Sequence, residues 1–527
     1  MASIFTLLRP ISRIKSLMTV GGNLFLSTCW GLMQALSVML CLALLPTPAL
    51  AKESTPTTDQ APTALAFVGA HVMLTDKQSL TSSLKQVTVL VNEGKIQALL
   101  PSRQRIPAQY KKVDVRGRYL LPGLIDGHVH LAQSGGAFTR PDMIDATAIQ
   151  SYADDQQWLS ENLPAILRTY VQLGVTTIAD MGGPSTRLKR YADLSQRSGL
   201  PEIVAAAELL SPASVPQLEV SGSKTFSEVS SAEAANDLVK RQIQQGAAII
   251  KIVWSQETGL SDSQLSALYQ EAIRTAKSAG KVVAVHVENI ASAKQAIRAG
   301  VDILVHGVVT DKLDDEFIAL AKQHRVSYIP TLTAYAHYAE IFNAKLSFTE
   351  FEHRLSHRPL IKSFVELTAN VSKTGDMFRI FTRYMPYVDA PTEDLAKLSA
   401  NEQSIVAQLS QVFSVKVAEM QRQNLRRALT AGLNVGFGTD AGNPGTLHAT
   451  SILEEMRAWR QAGASNAEIL RSMTLGNAVA LKIDEKQGSI SAGQQANFIL
   501  LKDNPLQDRF VLSIPSMVVQ RGHILRP

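Results

Sequence analysis

The chain has 527 residues, of which 45% are hydrophobic and 19% charged, with a formal net charge of +6. That balance supports a sizeable buried core and excludes both a disordered chain and a membrane bundle. The positive excess is too mild to indicate a nucleic-acid partner, so a small-molecule substrate is expected; nothing in the pattern specifies an oligomeric state.

Residues 1–51 stand apart. Arg9, Arg13 and Lys15 precede the apolar run Ala35 to Leu45, no acidic residue interrupts them, and Ala49-Leu50-Ala51 closes the segment. A basic leader, an apolar stretch and a small-x-small end read as a secretory signal peptide cut after Ala51. An exported, periplasmic protein is therefore expected, with no stable membrane insertion once the leader is gone. Gly21 to Leu45 is nearly long enough to cross a bilayer, which makes a retained anchor the alternative, and Met18 or Met33 could be the true start. Both cysteines, Cys29 and Cys41, lie in this leader. The remainder has no thiol, which excludes a disulfide framework, a Cys nucleophile and Cys-ligated zinc. Losing the leader's three basic residues also takes the net charge from +6 to +3.

Residues 52–63 are a Ser/Thr/Pro-rich linker. Within 64–120, short alternating runs at Ala66 to Leu74, Val87 to Val91 and Ile96 to Leu100 are separated by Gly, Asn and Ser turns and predict a small antiparallel unit. The same texture returns within 482–527, at Asn497 to Lys502 and Ser516 to Leu525. Two such ends predict one sheet closed around an inserted domain.

Between 121 and 481 the pattern changes to apolar strands alternating with amphipathic helices. Strands are expected at Val175 to Ala179, Ala248 to Val253, Val282 to His286, Ile303 to His306, Ser327 to Leu332 and Asn434 to Gly438, and helices at Ser261 to Ala279 and Ile290 to Ala299. Repeated βα units predict an α/β fold with a parallel sheet. No Gly-rich nucleotide fingerprint follows a strand, which favours a (β/α)8 TIM-like barrel over a doubly wound sheet. The interval from about 335 to 425 breaks the rhythm with helical patterns and aromatic residues, among them Tyr335, Tyr338, Phe342, Phe378 and Phe381. An insertion after a barrel strand overlies the C-terminal face, where active sites lie. It is either a lid or a helical unit with an aromatic core of its own.

The chemistry is carried by polar residues that end apolar runs. In Leu121-Pro-Gly-Leu-Ile-Asp-Gly-His128-Val-His130, alternation points both imidazoles to one face of a strand. On an inward-facing barrel strand they meet at the barrel mouth, a geometry suited to one metal ion. Lys251, His286, His306 and Asp440 end similar runs, in Ala248-Ile-Ile-Lys, Val283-Ala-Val-His, Ile303-Leu-Val-His and Gly436-Phe-Gly-Thr-Asp. Burying four such groups is costly unless they pair or ligate metal, so one shared site at the C-terminal rim is expected.

These residues resemble the amidohydrolase superfamily, specifically its imidazolonepropionase-related branch of metal-dependent hydrolases, which includes prolidase-like dipeptidases. The resemblance runs from about Ala66 to Ile524 and weakens in the insertion. It rests on Pro122-Gly-Leu-Ile-Asp-Gly-His-Val-His, Gly174-Val-Thr-Thr, Gly438-Thr-Asp-Ala-Gly and Gly488-Ser-Ile-Ser-Ala-Gly. It implies a barrel flanked by a β-sandwich built from both chain ends. It also implies that His128, His130 and Asp440 hold the more buried of two divalent ions and that His286 and His306 hold the other. Lys251 matches the family lysine that carbon dioxide carbamylates to bridge them. An ammonium cannot ligate a cation, whereas a carbamate is an anionic, two-oxygen bridge; a neutral or ion-paired lysine in a mononuclear enzyme is the alternative. The donor set suits zinc, with manganese, iron or cobalt as alternatives.

The implied reaction is attack by metal-bound hydroxide on a peptide-like C–N bond, in a dipeptide or an N-acyl amino acid. Asp440 would serve as base and then acid, and His306 or a loop group would support the carbonyl oxygen. Cyclic amides, lactones and phosphotriesters are open to the same attack. A catalytically silent metal-holding binding protein is the non-enzymatic alternative, against which the Asp440 carboxylate argues. His448 and Tyr335 are weaker candidates for substrate contact, with a capping histidine and a packed aromatic as the plain alternatives. His337, His353 and His357 read as surface or lid residues. Two departures from the family pattern stand out. Ala179-Asp180 replaces an Arg-Asp pair and bears on the substrate pocket, and Ala496-Asn497 replaces Ala-Asp and bears on packing.

Overall fold

In the computed structural model, which describes residues 64–75, 82–507 and 512–525, strands from the two ends of the chain share one nine-stranded sheet. The leader and linker lie outside the described residues. The sheet runs His523–Leu525, Met517–Gln520, Phe498–Leu501, Tyr119–Pro122, His71–Thr75, Ser82–Asn92, Leu65–Val68, Lys111–Asp114, with Lys95–Pro101 beside Ser82–Asn92. The join is antiparallel, from Phe498 opposite Pro122 to Leu501 opposite Tyr119. Phe67, Val89, Leu120, Phe498 and Val519 fill its core, and the Phe67 and Phe498 rings meet edge to face at 4.9 Å. The run expected as Ala66 to Leu74 is two strands, because the chain turns at Gly69 with φ +90°. Ser516 to Leu525 likewise folds back on itself at left-handed Arg521 and Gly522.

The central strands are parallel. One sheet holds Leu124–Val129, Val175–Asp180 and Glu202–Ala205. A second orders Phe226–Glu228, Leu209–Ser211, Ile249–Val253, Val282–His286, Ile303–Val305 and Ser327–Ile329. Every residue of Leu124–Val129, Val175–Asp180, Ile249–Val253 and Val282–His286 is buried, as strands covered on both faces require. The result is a mixed α/β fold with a curled sheet. Single bridges join Ala206 to Ile249, Tyr328 to Val435 and Val129 to Ala441.

Asn434 to Gly438, expected as a strand, makes a bridge rather than a ladder. Backbone bonds still reach it from both sides, from Tyr328 N to Asn434 O at 3.0 Å and from Gly127 N to Phe437 O at 2.8 Å, and the side chain of Asn477 adds to them: its Oδ1 accepts from Phe437 N at 3.0 Å and its Nδ2 donates to Phe437 O at 2.8 Å. Glycine is needed here for close approach, since a Cβ on Gly438 would lie 2.6 Å from the Cβ of His128.

The helices end where their caps dictate. Asp262–Ser278 starts from a capping box between Ser261 and Gln264. Ile290–Ala299 starts at Asn289 and stops at left-handed Gly300. The insertion consists of helices from Leu332–Phe342 through Arg358–Ala369, Asp376–Tyr384 and Ala400–Phe413 to Val415–Thr430. Phe342 is fully buried at its centre, with ring centroids of Tyr338, Phe378, Phe381 and Phe413 between 5.1 and 6.1 Å away. These aromatics are therefore the insertion's own core. Glu455 anchors its first helix, accepting from Leu332 N and Thr333 N, both at 3.0 Å, and from Trp459 Nε1 at 2.9 Å. No helix among the described residues is long and apolar enough to cross a membrane.

Truncating Phe342 to alanine removes the ring on which four others pack, and a buried Phe→Ala change costs about 3–5 kcal/mol. Limited proteolysis should then cut first between residues 343 and 413, at a lower denaturant concentration than in the parent. An unchanged cleavage pattern would show that the insertion does not depend on this cluster.

Candidate active site

Five of the six expected ligands stand near the C-terminal ends of parallel strands or just beyond, and Lys251 stands in the middle of its strand. His128 and His130 belong to Leu124–Val129 and the residue after it, Lys251 to Ile249–Val253, and His286 to the end of Val282–His286. His306 follows Ile303–Val305, and Asp440 follows the bridged segment at Val435. All six are buried.

The donors converge. His128 Nε2 and His130 Nε2 lie 3.3 Å apart, and each is 3.2 Å from Asp440 Oδ1. His306 Nδ1 approaches the other oxygen of Asp440, Oδ2, at 3.7 Å. Its ring lies 4.7 Å from that of His128 and 4.8 Å from that of His286. His128, His306 and Asp440 each offer a ligand atom within 4.8 Å of the others. Donors at about 2.0–2.2 Å around one tetrahedral ion would be spaced by roughly 3.3 Å, which is the spacing of the His128, His130 and Asp440 atoms. The chemistry of the orphaned atoms fits as well. Among the described residues, Lys251 Nζ makes no hydrogen bond although the residue is 1% exposed, an arrangement that is costly without a partner for the amine.

Burial governs the protonation states. It pushes His128 down to about 3 and His306 well below the usual imidazole range, so both present neutral, ligating nitrogens. It pushes the Lys251 amine down to about 7, while the Asp440 charge pulls the other way. Burial alone would raise Asp440, but the facing His128 and His306 outweigh it and hold the carboxyl well below its ordinary value. Outer contacts orient the rings. His130 Nδ1 donates to Gly182 O at 3.2 Å, which leaves Nε2 free to ligate. His306 Nδ1 pairs with Thr331 Oγ1 at 2.9 Å, and His286 Nε2 lies 3.4 Å from Glu288 Oε1.

The weaker candidates take other places. His448 accepts from Tyr170 OH through Nδ1 at 3.0 Å and donates through Nε2 to Gln133 O at 2.8 Å, so both nitrogens are engaged by the protein itself. Tyr335 packs in an apolar cluster with Val309 and Val412. His337, expected at the surface or in a lid, is instead buried between Thr446 Oγ1 at 2.8 Å and Glu454 Oε2 at 2.9 Å. The change in surroundings follows from the first insertion helix lying against the loop after Asp440. His353 is exposed, and half-buried His357 meets Trp158 edge to face.

Sequence reasoning passed over Asp126. This fully buried carboxylate accepts from Thr439 N at 3.1 Å, Thr439 Oγ1 at 2.7 Å and His128 N at 3.3 Å, tying the first ligand strand to the residue before Asp440. Its signal was available, because residues 126 and 128 share a strand face.

A curled parallel sheet with imidazoles, a buried lysine and a carboxylate gathered at its C-terminal rim defines a metal-dependent hydrolase acting on C–N bonds. The sequence pattern of the amidohydrolase family matches residues 119–524, and the chain belongs to that family. It is similar to ochratoxinase of Aspergillus niger, with 23% identity over 462 residues covering 81% of this chain and 80% of the relative. It is also similar to imidazolonepropionase of Thermoplasma acidophilum, with 26% identity over 164 residues; that match spans 31% of this chain and 38% of the relative's length. A solved Xaa-Pro dipeptidase with methionine bound in its active site shares the fold, with a TM-score of 0.61 over 88% of this chain and 100% of that one at 20% identity.

Replacing Asp126 by alanine removes the three hydrogen bonds that join the His128 backbone to Thr439, the residue before Asp440. Outer-shell losses of this kind lower metal affinity about 10- to 100-fold. Zinc competition against a chromophoric chelator should show that drop, and parental affinity in a folded variant would assign Asp126 to packing alone.

Proposed function

We propose that the enzyme hydrolyses a peptide-like C–N bond in a dipeptide or an N-acyl amino acid. In this reading His128, His130 and Asp440 would hold one divalent ion, His286 and His306 would hold a second, and Lys251, as a carbamate, would supply an anionic ligand to both, with zinc the metal best matched to the donors. The observation that carries it is Lys251, a buried amine that makes no hydrogen bond among the described residues and faces the same space as the imidazoles and Asp440. A neutral amine adds to carbon dioxide by forming an N–C bond and releasing one proton, leaving an anion whose two oxygens are ligands.

Bound there, the ions would supply Lewis acidity, polarising the scissile carbonyl and acidifying the attacking water. Asp440 takes the water's proton and delivers it to the departing nitrogen. With His306 Nδ1 paired to Thr331 Oγ1 at 2.9 Å and its other nitrogen assigned to an ion, support of the carbonyl oxygen falls to a loop group. The names of the relatives, ochratoxinase and Xaa-Pro dipeptidase, favour a small amide over a lactone or phosphotriester.

The reading extends to the whole chain. The single bridges at Ala206, Tyr328 and Val129 support a closed (β/α)8 barrel over 121–481. The shared sheet supports a flanking β-sandwich from 64–120 and 482–527. The leader directs export to the periplasm. N-terminal sequencing of protein from the native cell envelope should begin at Lys52, and an intact leader on membrane-bound chain would replace a released enzyme with an anchored one.

The functional reading is tested with metal-replete protein prepared in bicarbonate and screened against dipeptides and N-acyl amino acids. Two ions per chain and turnover of one of these classes are expected. Asp440→Asn keeps size and an oxygen ligand but loses basicity, so turnover should fall about 10²- to 10⁴-fold, or roughly 3–5 kcal/mol of barrier. Metal content measured beside turnover separates loss of the proton shuttle from loss of an ion. A variant that keeps both ions and the parental rate across the pH range would remove Asp440 from proton transfer.

A further inference from the structure

Asp440 is held in a left-handed conformation, φ +59°, that only glycine adopts freely. Such strain persists where the surroundings over-determine it. On one side Asp440 N donates to His128 O at 2.8 Å. On the other its carbonyl accepts from Asn443 Nδ2 at 3.1 Å. Asn443 is completely buried, and its Oδ1 accepts two further donors, Arg140 Nη1 at 3.2 Å and Tyr338 OH at 3.3 Å. Arg140 is fixed in turn by Asp142, through Nε to Oδ1 at 2.7 Å and Nη2 to Oδ2 at 2.5 Å, with both residues buried.

We infer that Asn443 is a positioning residue for Asp440, and that Arg140 and Tyr338 set the direction of its amide. The guanidinium has no acceptor, so a reversed amide would bring its NH2 against Arg140 and withdraw the donor from the Asp440 carbonyl. Three segments meet at this one amide: the loop after His130 through Arg140, the first insertion helix through Tyr338, and the Asp440 loop. The insertion is thereby wired to the carboxylate that faces His128 and His130. The inference rests on the metal-dependent hydrolase reading, and it holds for whichever amide is the substrate.

Asn443→Asp and Tyr338→Phe test it in the full mature enzyme. Asn443→Asp keeps both acceptor contacts, and gains an ion pair with Arg140, but loses the donor to Asp440; a role in packing or in anchoring Arg140 would leave this variant close to the parent. Positioning instead predicts a drop of about 10- to 100-fold in zinc affinity or kcat, with KM little moved, and an altered visible spectrum of the cobalt-substituted protein. Tyr338→Phe deletes one hydroxyl and should lower the same quantities about three- to tenfold at an unchanged thermal midpoint. Zinc affinity and the cobalt spectrum need no substrate, so a failure of the substrate reading leaves them interpretable. Parental zinc affinity, spectrum and kcat in folded Asn443→Asp overturn the inference. If that variant does not fold, parental values in Tyr338→Phe overturn it.

Discussion

One carboxylate organises this molecule. Asp440 is buried among three imidazoles and lies within the electrostatic reach of a buried lysine. A lone charge in such a place is unstable unless something opposes it. The facing His128 and His306 favour its charged form, but burial disfavours a charge on those two rings themselves, so neither is a full counter-ion and both are left as lone-pair donors. A neutral donor shell around an anion, with an unbonded amine at its edge, is an arrangement that a divalent cation completes. The parallel sheet exists, in this sense, to deliver those groups to one rim from strands far apart in sequence.

Holding the groups at that rim takes a second layer of hydrogen bonds that reaches the backbone. Asp126 grips Thr439 and His128, Asn477 grips Phe437 and Ile125 O, and Asn443 grips Asp440 itself. These side-chain contacts add to backbone hydrogen bonds such as Gly127 N to Phe437 O and Asp440 N to His128 O, both at 2.8 Å. The crowding shows in the glycines of this segment, since a Cβ would lie 2.4 Å from Asn477 Oδ1 at Gly436 and 2.6 Å from the Cβ of His128 at Gly438. Regular strand geometry is given up at the place where a left-handed Asp440 is needed, and the left-handed His306 shows the same trade.

The gathering of these polar side chains was legible in the residues because strand physics is local. Period-two alternation placed His128 and His130 together, and a polar residue closing a buried run is conspicuous wherever it occurs. Helices with clear caps, such as Ile290–Ala299, were equally plain. The short strands Glu202–Ala205, Leu209–Ser211 and Phe226–Glu228 were not, since three or four residues of mixed character carry no period. Asn443 was hidden for a different reason. Asn-Pro-Gly reads as turn punctuation, and the buried job of its amide depends on Arg140 and Tyr338, about 300 and 100 residues away in sequence.

The departure at Ala179-Asp180 acquires a meaning from the same layer. Asp180 accepts from Leu131 N at 3.0 Å, while Arg187, seven residues further on, donates to Leu131 O at 3.4 Å and to Gln156 Oε1 at 2.6 Å. The peptide groups on either side of Leu131 are therefore held by a carboxylate and a guanidinium, immediately after the His130 ligand. Burial raises Asp180 to about 6 even though His130 and Arg187 pull the other way. An arginine directly before Asp180 would have to fit where Ala179 is fully enclosed by the sheet. The guanidinium near Leu131 comes instead from the Ser185–Arg187 turn, and the strand face at Ala179 stays small and apolar.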